Sequence, residues 1–200
     1  MSDVPAASYA VASEYQVDGE GAAAKLLAAR PDLDRRYINR VRLGGIKLWL
    51  DGSIPTAWFS EAYAHNPPGK DGDYRGFPQV TDDYVNGVLE RFWKTGLQIN
   101  MHMNGDAAAE QALQAVERAE RLQGPADARP VFIHATYMRP DQIARMKRLG
   151  AIPTFTAGSL IAAGDAAVHY WGEDRAAASM PMNTLERMGV PFSLNHDAPI

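Results

Sequence analysis

The chain has 200 residues, of which 46% are hydrophobic and 22% are charged, and this composition is typical of one soluble globular domain. The net charge of −4 and the lack of a basic stripe exclude nucleic acid as the main partner. No apolar run approaches the ~20 residues of a membrane span, and the first residues lack the pattern of a signal peptide. We therefore expect a cytoplasmic protein with no membrane partner.

Cysteine is absent from the chain, which excludes disulfides and thiolate metal ligands. Any metal ion would have to be held by His, Asp, Glu or a modified Lys. The oligomeric state is left open by the sequence.

The first part of the chain predicts two short helices and one strand, after residues 1–18, which carry no predicted element. The helices cover residues 21–29 and 32–42, and a Gly-Gly pair then precedes a strand over residues 46–51. Alternation gives this strand two different faces. One face carries Ile46, Leu48 and Leu50, and the other carries Lys47, Trp49 and Asp51.

A long segment without a regular pattern follows over residues 52–78, which we call the aromatic loop. Irregular segments longer than about 12–15 residues in a compact domain are usually functional or disordered. Its aromatic residues favour an ordered lid or pocket wall, although they are also explained by packing beneath the loop, and we expect its His65 to lie on the surface. The aromatic residues are Trp58, Phe59, Tyr63, Tyr74 and Phe77.

The central stretch predicts a strand between two helices. Residues 81–94 form an amphipathic pattern that its first residue caps. Residues 97–106 form a strand that alternates with period two up to Asn104 and runs into a loop that carries His102, Asn104 and Asp106. Asp106 stands at the N-cap position of a helix over residues 107–122.

The rest of the chain repeats this alternation of strands and helices, which predicts an α/β fold with a parallel sheet, either a TIM-type barrel or a doubly wound sheet. No glycine-rich phosphate motif follows any strand, so nucleotide-binding versions lose support. The remaining predicted elements are a strand over residues 131–134, a helix over 139–149, a strand over 151–156, the segment HYWGEDR at 169–175, a helix over 181–188 and a strand over 192–197.

Polar residues recur where these strands end. His102, His134 and Asp197 lie at the carboxyl ends of three predicted strands, and Lys47 lies on a fourth. Barrels of the (β/α) type have their chemistry at that edge. Two imidazoles together with carboxylate-type oxygens suit Zn²⁺ or a similar divalent ion.

Each of these residues also has a purely structural explanation. A buried ammonium is costly, so Lys47 would point to water or pair with Asp51. His102 and His134 would be hydrogen-bonded core imidazoles, and Asp197 would cap a turn. A metal site requires that the four side chains converge on one point. The structural explanations carry no such requirement.

Four short motifs resemble those of amidohydrolase family 3, a group that includes N-substituted formamide deformylases. The strings KLWLDGS, HMNGDAA, IHA and HDAP match in order and spacing along residues 44–200, and HYWGEDR resembles a stretch in one branch of the family. The resemblance implies a partial TIM (β/α)₈ barrel that covers strands four to eight. It also implies a metal-dependent hydrolase that cleaves carbon–nitrogen bonds other than peptide bonds in a small-molecule substrate.

The resemblance assigns roles to individual residues. Lys47 resembles the carbamylated lysine that bridges the metal ions, and His102 and His134 resemble metal ligands. Asp197 resembles the aspartate that binds metal and handles the proton of the attacking water, while Asp106 resembles a residue that orients the loop. The implied cofactor is a divalent metal, most simply Zn. The expected substrate-binding residues are Trp58, Asn104, His169, Trp171 and His196.

The chain departs from the family pattern in three ways. His196 replaces the usual Ser, and Ile133 replaces the usual Glu at a position expected to face away from the site. No H-x-H pair occurs, and a full barrel takes about 250 residues. We therefore expect a fragment, with residues 1–43 as a helical lead-in and 44–200 as a barrel portion truncated at both ends. The alternative is a truncated, catalytically inactive α/β module that binds a partner or has no function.

Overall fold

Six parallel strands form the sheet in the described part of the chain. The structure is a computed structural model that describes residues 8–13 and 41–197, with side chains from residue 44 onward except Leu160. The strands are β1 (Ser8–Ser13), β2 (Val41–Trp49), β3 (Gln98–Met103), β4 (Val131–His134), β5 (Ile152–Thr156) and β6 (Ser193–Asn195).

Helices follow most of the strands. The described helices are α1 (Asp82–Phe92), α2 (Asp106–Gln123), α3 (Pro140–Arg148), α4 (Gly158–Trp171), α5 (Glu173–Ala177) and α6 (Met182–Met188). Among the described residues, we find no helix with the length and apolar character needed to cross a membrane. The expected cytoplasmic location stays a prediction.

The order of the strands distinguishes the two predicted architectures. Each described strand pairs in parallel with the next one along the chain, from β1 to β6. In a doubly wound sheet the spatial order of the strands reverses at a switch point, whereas in a (β/α) barrel each strand lies beside the next one in sequence. The α/β prediction is therefore confirmed as a partial barrel, and the doubly wound alternative does not fit the described strands.

The two faces of the sheet differ as the alternation predicted. Ile46, Leu48 and Leu50 are completely buried, in one hydrophobic core with residues of α1 and α2. Lys47 and Trp49, on the other face, are only partly buried. The helices therefore cover one face, and the polar residues of the strands lie on the inner face of the partial barrel.

The aromatic loop is ordered, because it has a hydrophobic cluster of its own that accounts for several of its aromatic residues. Its role as a pocket wall stays a prediction. Its residues pack against α4, and the rings of Phe59 and Trp171 lie 5.2 Å apart. The backbone N–H of Ala64 also donates to the carbonyl of Tyr170 at 2.9 Å. We call this group the loop cluster, and its buried members are Ala57, Phe59, Tyr63, Ala167 and Trp171.

Four elements differ from the sequence prediction. Strand β1 lies within residues 1–18, for which no element was predicted. Helices α4 and α5 lie between the predicted strand over 151–156 and the predicted helix over 181–188, a Gly- and Ala-rich stretch for which no helix was predicted. Strand β2 begins at Val41, so the end of the predicted helix over 32–42 is wrong. The predicted strand begins only after the Gly-Gly pair, whereas β2 runs through Gly45. The strand needs a glycine there because a Cβ would collide with the carbonyl of Gln98.

The predicted helix over 21–29 and most of the one over 32–42 lie outside the described residues. The division of the chain at 43 and 44 therefore stays a prediction.

Candidate metal centre

The four predicted metal-site residues lie toward the same edge of the sheet. His134 is the last residue of β4, His102 is the last but one of β3, and Asp197 follows β6 by two residues. Lys47 lies two residues before the end of β2. Because the strands are parallel, these positions share the edge where the carboxyl ends lie, which we call the carboxyl edge.

The two histidines are in contact. Their ring centroids are 4.5 Å apart, and the planes are inclined by 77°. The strand register pairs His134 with Met103, a residue buried under the helices. His134 has a φ of 70° and Ala135 a φ of 42°, so the backbone is left-handed where β4 ends. This unusual conformation allows the His134 ring to leave the alternation of the strand and meet His102.

The hydrogen bonds of His134 distinguish its two ring nitrogens. Nδ1 lies 2.8 Å from Oγ1 of Thr156. Nε2 lies 4.0 Å from Oδ2 of Asp197. Nδ1 is therefore occupied within the protein, and Nε2 is the nitrogen that faces the candidate site.

His102 is engaged through its other nitrogen. Nε2 lies 3.3 Å from Nδ2 of Asn104, 3.5 Å from the carbonyl oxygen of Gly52 and 3.6 Å from Oδ1 of Asp51. Within the described residues, Nδ1 is the nitrogen left for a further ligand.

Both imidazoles are held in the neutral form. Burial, followed by the neighbouring His134, lowers the pKa of His102 to about 3. Burial also lowers the pKa of His134, although the charge of Asp197 opposes this shift. Neutral imidazole is the form that binds a metal ion, so these shifts suit the predicted role.

Lys47 experiences the same environment. Burial lowers the pKa of its ammonium group, and Asp197 raises it to a smaller extent. The ammonium lies 4.7 Å from the centroid of the Trp49 ring. Its electrostatic coupling to Asp197 indicates that Lys47 faces the same space as the aspartate.

The donors present fit part of a divalent metal site. Neutral imidazole nitrogens and a carboxylate are typical zinc ligands. Among the described side chains, however, no group of three or more His, Asp or Glu is arranged so that it holds a metal ion. A further donor is needed, and Lys47 would supply a carboxylate only if carbamylated.

Asp51 is a residue that the sequence analysis did not assign to the site. It is 1% exposed and accepts hydrogen bonds from the backbone N–H groups of Trp58 at 3.0 Å, Asn104 at 2.9 Å and Gly105 at 2.8 Å. Burial raises its pKa to about 7, against the effect of these donors. Asp51 therefore joins the aromatic loop to the end of β3 beside His102. The motif DGS was the available signal.

Asp106 holds the aromatic loop from the other side. It is the first residue of α2, whereas Gly105 is the N-cap, so the predicted capping position is wrong by one residue. Its Oδ1 accepts the N–H of Ser60 at 2.9 Å, and its Oδ2 accepts a bond from Arg139 at 2.6 Å. These contacts accord with the loop-orienting role implied for this residue.

The register contradicts one expectation about the neighbours of the site. Ile133 pairs with His102 and therefore lies on the same face of the sheet, so the expectation that it faces away is wrong. Strand alternation buries Phe132 under the helices instead. His134 reaches the site through its left-handed backbone, which a strictly alternating pattern does not predict.

The predicted substrate-binding residues lie in different surroundings, and their role stays a prediction. Asn104 donates to Gly52 O and accepts from Thr136 Oγ1 beside His102. His169 is exposed and stacks on His65, the loop residue expected on the surface, at 4.7 Å. Trp171 is buried in the loop cluster, where its N–H donates to Ile54 O. Trp58 is partly buried, and His196 is exposed.

Comparison with known proteins gives one family and several relatives. The model described as "Amidohydrolase family" matches residues 12–200. The chain is 29% identical over 166 residues to the putative amidohydrolase YtcJ of Bacillus subtilis, which covers 80% of the chain and 29% of that protein. It is 27% identical to Protein LONG AFTER FAR-RED 3 of Arabidopsis thaliana, over 79% of the chain and 27% of that protein.

Solved structures show the same fold. An uncharacterized metal-dependent hydrolase from Pyrococcus furiosus matches with a TM-score of 0.72 and 29% identity, over 88% of the chain and 35% of that protein. A second such hydrolase, from Pyrococcus horikoshii, has the same TM-score at 24% identity, over 88% of the chain and 34% of that protein. The chain thus spans less than a third of the length of the curated relatives it matches.

Proposed function

Because this chain belongs to the amidohydrolase family, we propose that it carries part of a metal-dependent hydrolase. The proposed reaction is cleavage of a carbon–nitrogen bond other than a peptide bond, in an amide or formamide of a small-molecule substrate. The similarity to metal-dependent hydrolases of the same fold supports a divalent metal, and we propose zinc.

One observation carries the proposal. Two neutral imidazoles from neighbouring strands lie 4.5 Å apart at the carboxyl edge, and the free nitrogen of one is 4.0 Å from the carboxylate of Asp197. Polar groups that merely satisfied the core would not need a left-handed backbone at His134 to bring them together.

The proposed metal ligands are His102, His134, Asp197 and carbamylated Lys47. Carbamylation requires the neutral amine, and burial favours this form because it lowers the pKa of Lys47. The modified side chain would add a further carboxylate beside that of Asp197, which supplies the additional donor that the site needs. When bound, the metal ion activates water and polarises the substrate carbonyl.

Asp197 is the proposed catalytic residue. Its carboxylate is 40% exposed and is therefore accessible to water at the carboxyl edge. It accepts the proton of the attacking water and delivers this proton to the leaving nitrogen. We propose that the aromatic loop forms the wall of the substrate pocket, together with Trp58, Asn104, His169, Trp171 and His196.

Replacement of the carboxylate tests this role. The zinc-loaded chain is assayed against a panel of amides and formamides, with Asp197→Asn as the variant and Asp165→Asn, at an exposed position of α4, as the matched control. We expect turnover in the wild type and the control, and a loss of about 10²–10⁴-fold in the variant with metal retained.

Unchanged turnover in Asp197→Asn would refute the catalytic role. A wild-type chain that binds no metal and hydrolyses nothing would favour the inactive α/β module.

A further inference from the structure

A hydrogen-bonded chain of three side chains leads to His134 from the next two strands. Thr156 is the last residue of β5, and Asn195 is the last residue of β6. The hydroxyl of Thr156 lies 2.8 Å from Nδ1 of His134 and donates to Oδ1 of Asn195 at 2.7 Å. The register pairs Thr156 with Asn195, so the two side chains lie on the same face of the sheet.

The orientation of the Asn195 amide determines which group donates each of these hydrogen bonds. Nδ2 of Asn195 donates to Oγ1 of Thr154 at 3.0 Å, which leaves Oδ1 of Asn195 as the acceptor for Thr156. A hydroxyl has one proton. Since Thr156 uses that proton toward Asn195, its oxygen accepts a hydrogen bond from His134.

We propose that Thr156 and Asn195 are positioning residues that keep the proton of neutral His134 on Nδ1 and present Nε2 as a bare acceptor at the carboxyl edge. The tautomer of an imidazole is set by the partner of its other nitrogen. The inference deepens the proposed function and rests on it for the use of Nε2 as a metal ligand, but the tautomer itself does not depend on catalysis.

These hydrogen-bonded side chains can fix the tautomer of His134 because they are buried. Thr156 is 7% exposed, Thr154 is 8% exposed and His134 is 8% exposed, so water competes weakly for their polar atoms. An acceptor at Nδ1 in such surroundings would be left unsatisfied if the proton moved to Nε2. Asn195 of β6 thereby influences the proposed metal ligand His134 of β4, through the hydroxyl of Thr156.

The test reads the position of the proton directly. Long-range ¹H–¹⁵N correlation spectra of the metal-free full chain, recorded under mildly alkaline conditions, distinguish a protonated Nδ1 from a protonated Nε2. We expect Nδ1–H in the wild type and in Thr156→Ser, which keeps the hydroxyl. We expect Thr156→Val to move the proton to Nε2.

Asn195 provides a second pair of variants, which decides the matter if Thr156→Val does not fold. Asn195→Asp keeps an acceptor for Thr156 and is expected to retain Nδ1–H, whereas Asn195→Ala is expected to lose it. Protonated Nε2 in the wild type, which is the state that a reversed Asn195 amide would produce, overturns the inference. An unchanged Nδ1–H in Thr156→Val or Asn195→Ala also overturns it.

Zinc affinity supplies an independent readout. Loss of a hydrogen-bond partner behind a ligand typically weakens metal binding about 10–100-fold, so we expect this loss in Thr156→Val and near wild-type affinity in Thr156→Ser. The predicted tautomers without any zinc binding by the wild type would refute the proposed function and leave the inference on His134 intact.

Discussion

The helix-covered face of the sheet and the carboxyl edge use the same strands but are built by different rules. On the covered face, Ile99, Met101 and Met103 of β3 are completely buried and follow strict alternation. At the carboxyl edge, His134 departs from the alternation of β4, and Asp51 is buried with three backbone donors. The covered face depends on local periodicity, whereas the edge depends on contacts between residues far apart in sequence.

The largest expected effect separates the two regions by stability. Phe132 is completely buried on the covered face, and truncation of a core phenylalanine typically costs about 3–5 kcal/mol. We predict that Phe132→Ala lowers the free energy of unfolding by about this amount, as measured by urea denaturation. A matched pair compares the faces directly: Ile99→Ala on the covered face should cost about 2–5 kcal/mol, and Ile133→Ala on the inner face should cost less because its side chain is only partly buried. Equal losses in the two isoleucine variants would contradict the distinction between the faces.

Acid should destabilise the folded chain through His102 at the carboxyl edge. Because the pKa of His102 is about 3 in the folded chain, below the ~6.5 of an unfolded histidine, its contribution to stability is complete above pH ~6.5 and is lost as the pH falls toward 3. At about 1.4 kcal/mol for each unit between the folded and unfolded pKa values, the loss should be about 4–5 kcal/mol. We predict a flatter pH profile for metal-free His102→Gln, measured by urea denaturation.

The exposed His169→Gln serves as the control for this titration and should follow the wild type. Parallel wild-type and His102→Gln profiles between pH ~6.5 and ~3 would show that His102 is not held neutral by the fold.

The link between the edge and the aromatic loop is expected to have a smaller effect. Asp106→Asn weakens the contacts to Ser60 and Arg139. Loss of a buried charged hydrogen bond costs about 1–3 kcal/mol, and we expect this loss to lower the free energy of local opening of the aromatic loop. We predict faster hydrogen exchange at the Ser60 amide. Asp141→Asn removes an exposed partner of the same arginine and should leave this exchange rate unchanged.

Faster exchange in both aspartate variants would mean that Arg139, and not Asp106, holds the loop.

Two glycines offer the finest comparison. A Cβ at Gly105 would collide with the backbone of Trp58, whereas a Cβ at Gly87 in α1 would meet no atom within 4 Å. We predict that Gly87→Ala stabilises the chain by about 0.5–1 kcal/mol and that Gly105→Ala destabilises it and displaces the aromatic loop. Thermal unfolding measures both, and a stabilised Gly105→Ala would show that the loop is not packed on this residue.

The sequence predicted what periodicity controls. The strand over 131–134 matches β4 in its bounds, and the helix over 107–122 differs from α2 by one residue at each end. Helix α4 was missed because its Gly- and Ala-rich sequence carries no clear apolar stripe.

The candidate site was predicted through the polar residues at strand ends, but its supporting contacts were not. Thr156 and Asn195 also stand at strand ends, so the rule that selected His134 would have selected them. The left-handed φ of His134 has no sequence signal, since such backbone is rare for residues other than glycine.

Zinc binding by the metal-free chain tests the central claim most directly. Equilibrium dialysis followed by elemental analysis should give at least about one zinc ion per chain, the minimum for a site of this kind. His134→Ala should lose this ion, and the exposed His169→Ala should retain it. A wild-type chain without zinc, or equal zinc in His134→Ala, would contradict the assignment of the carboxyl edge as a metal centre.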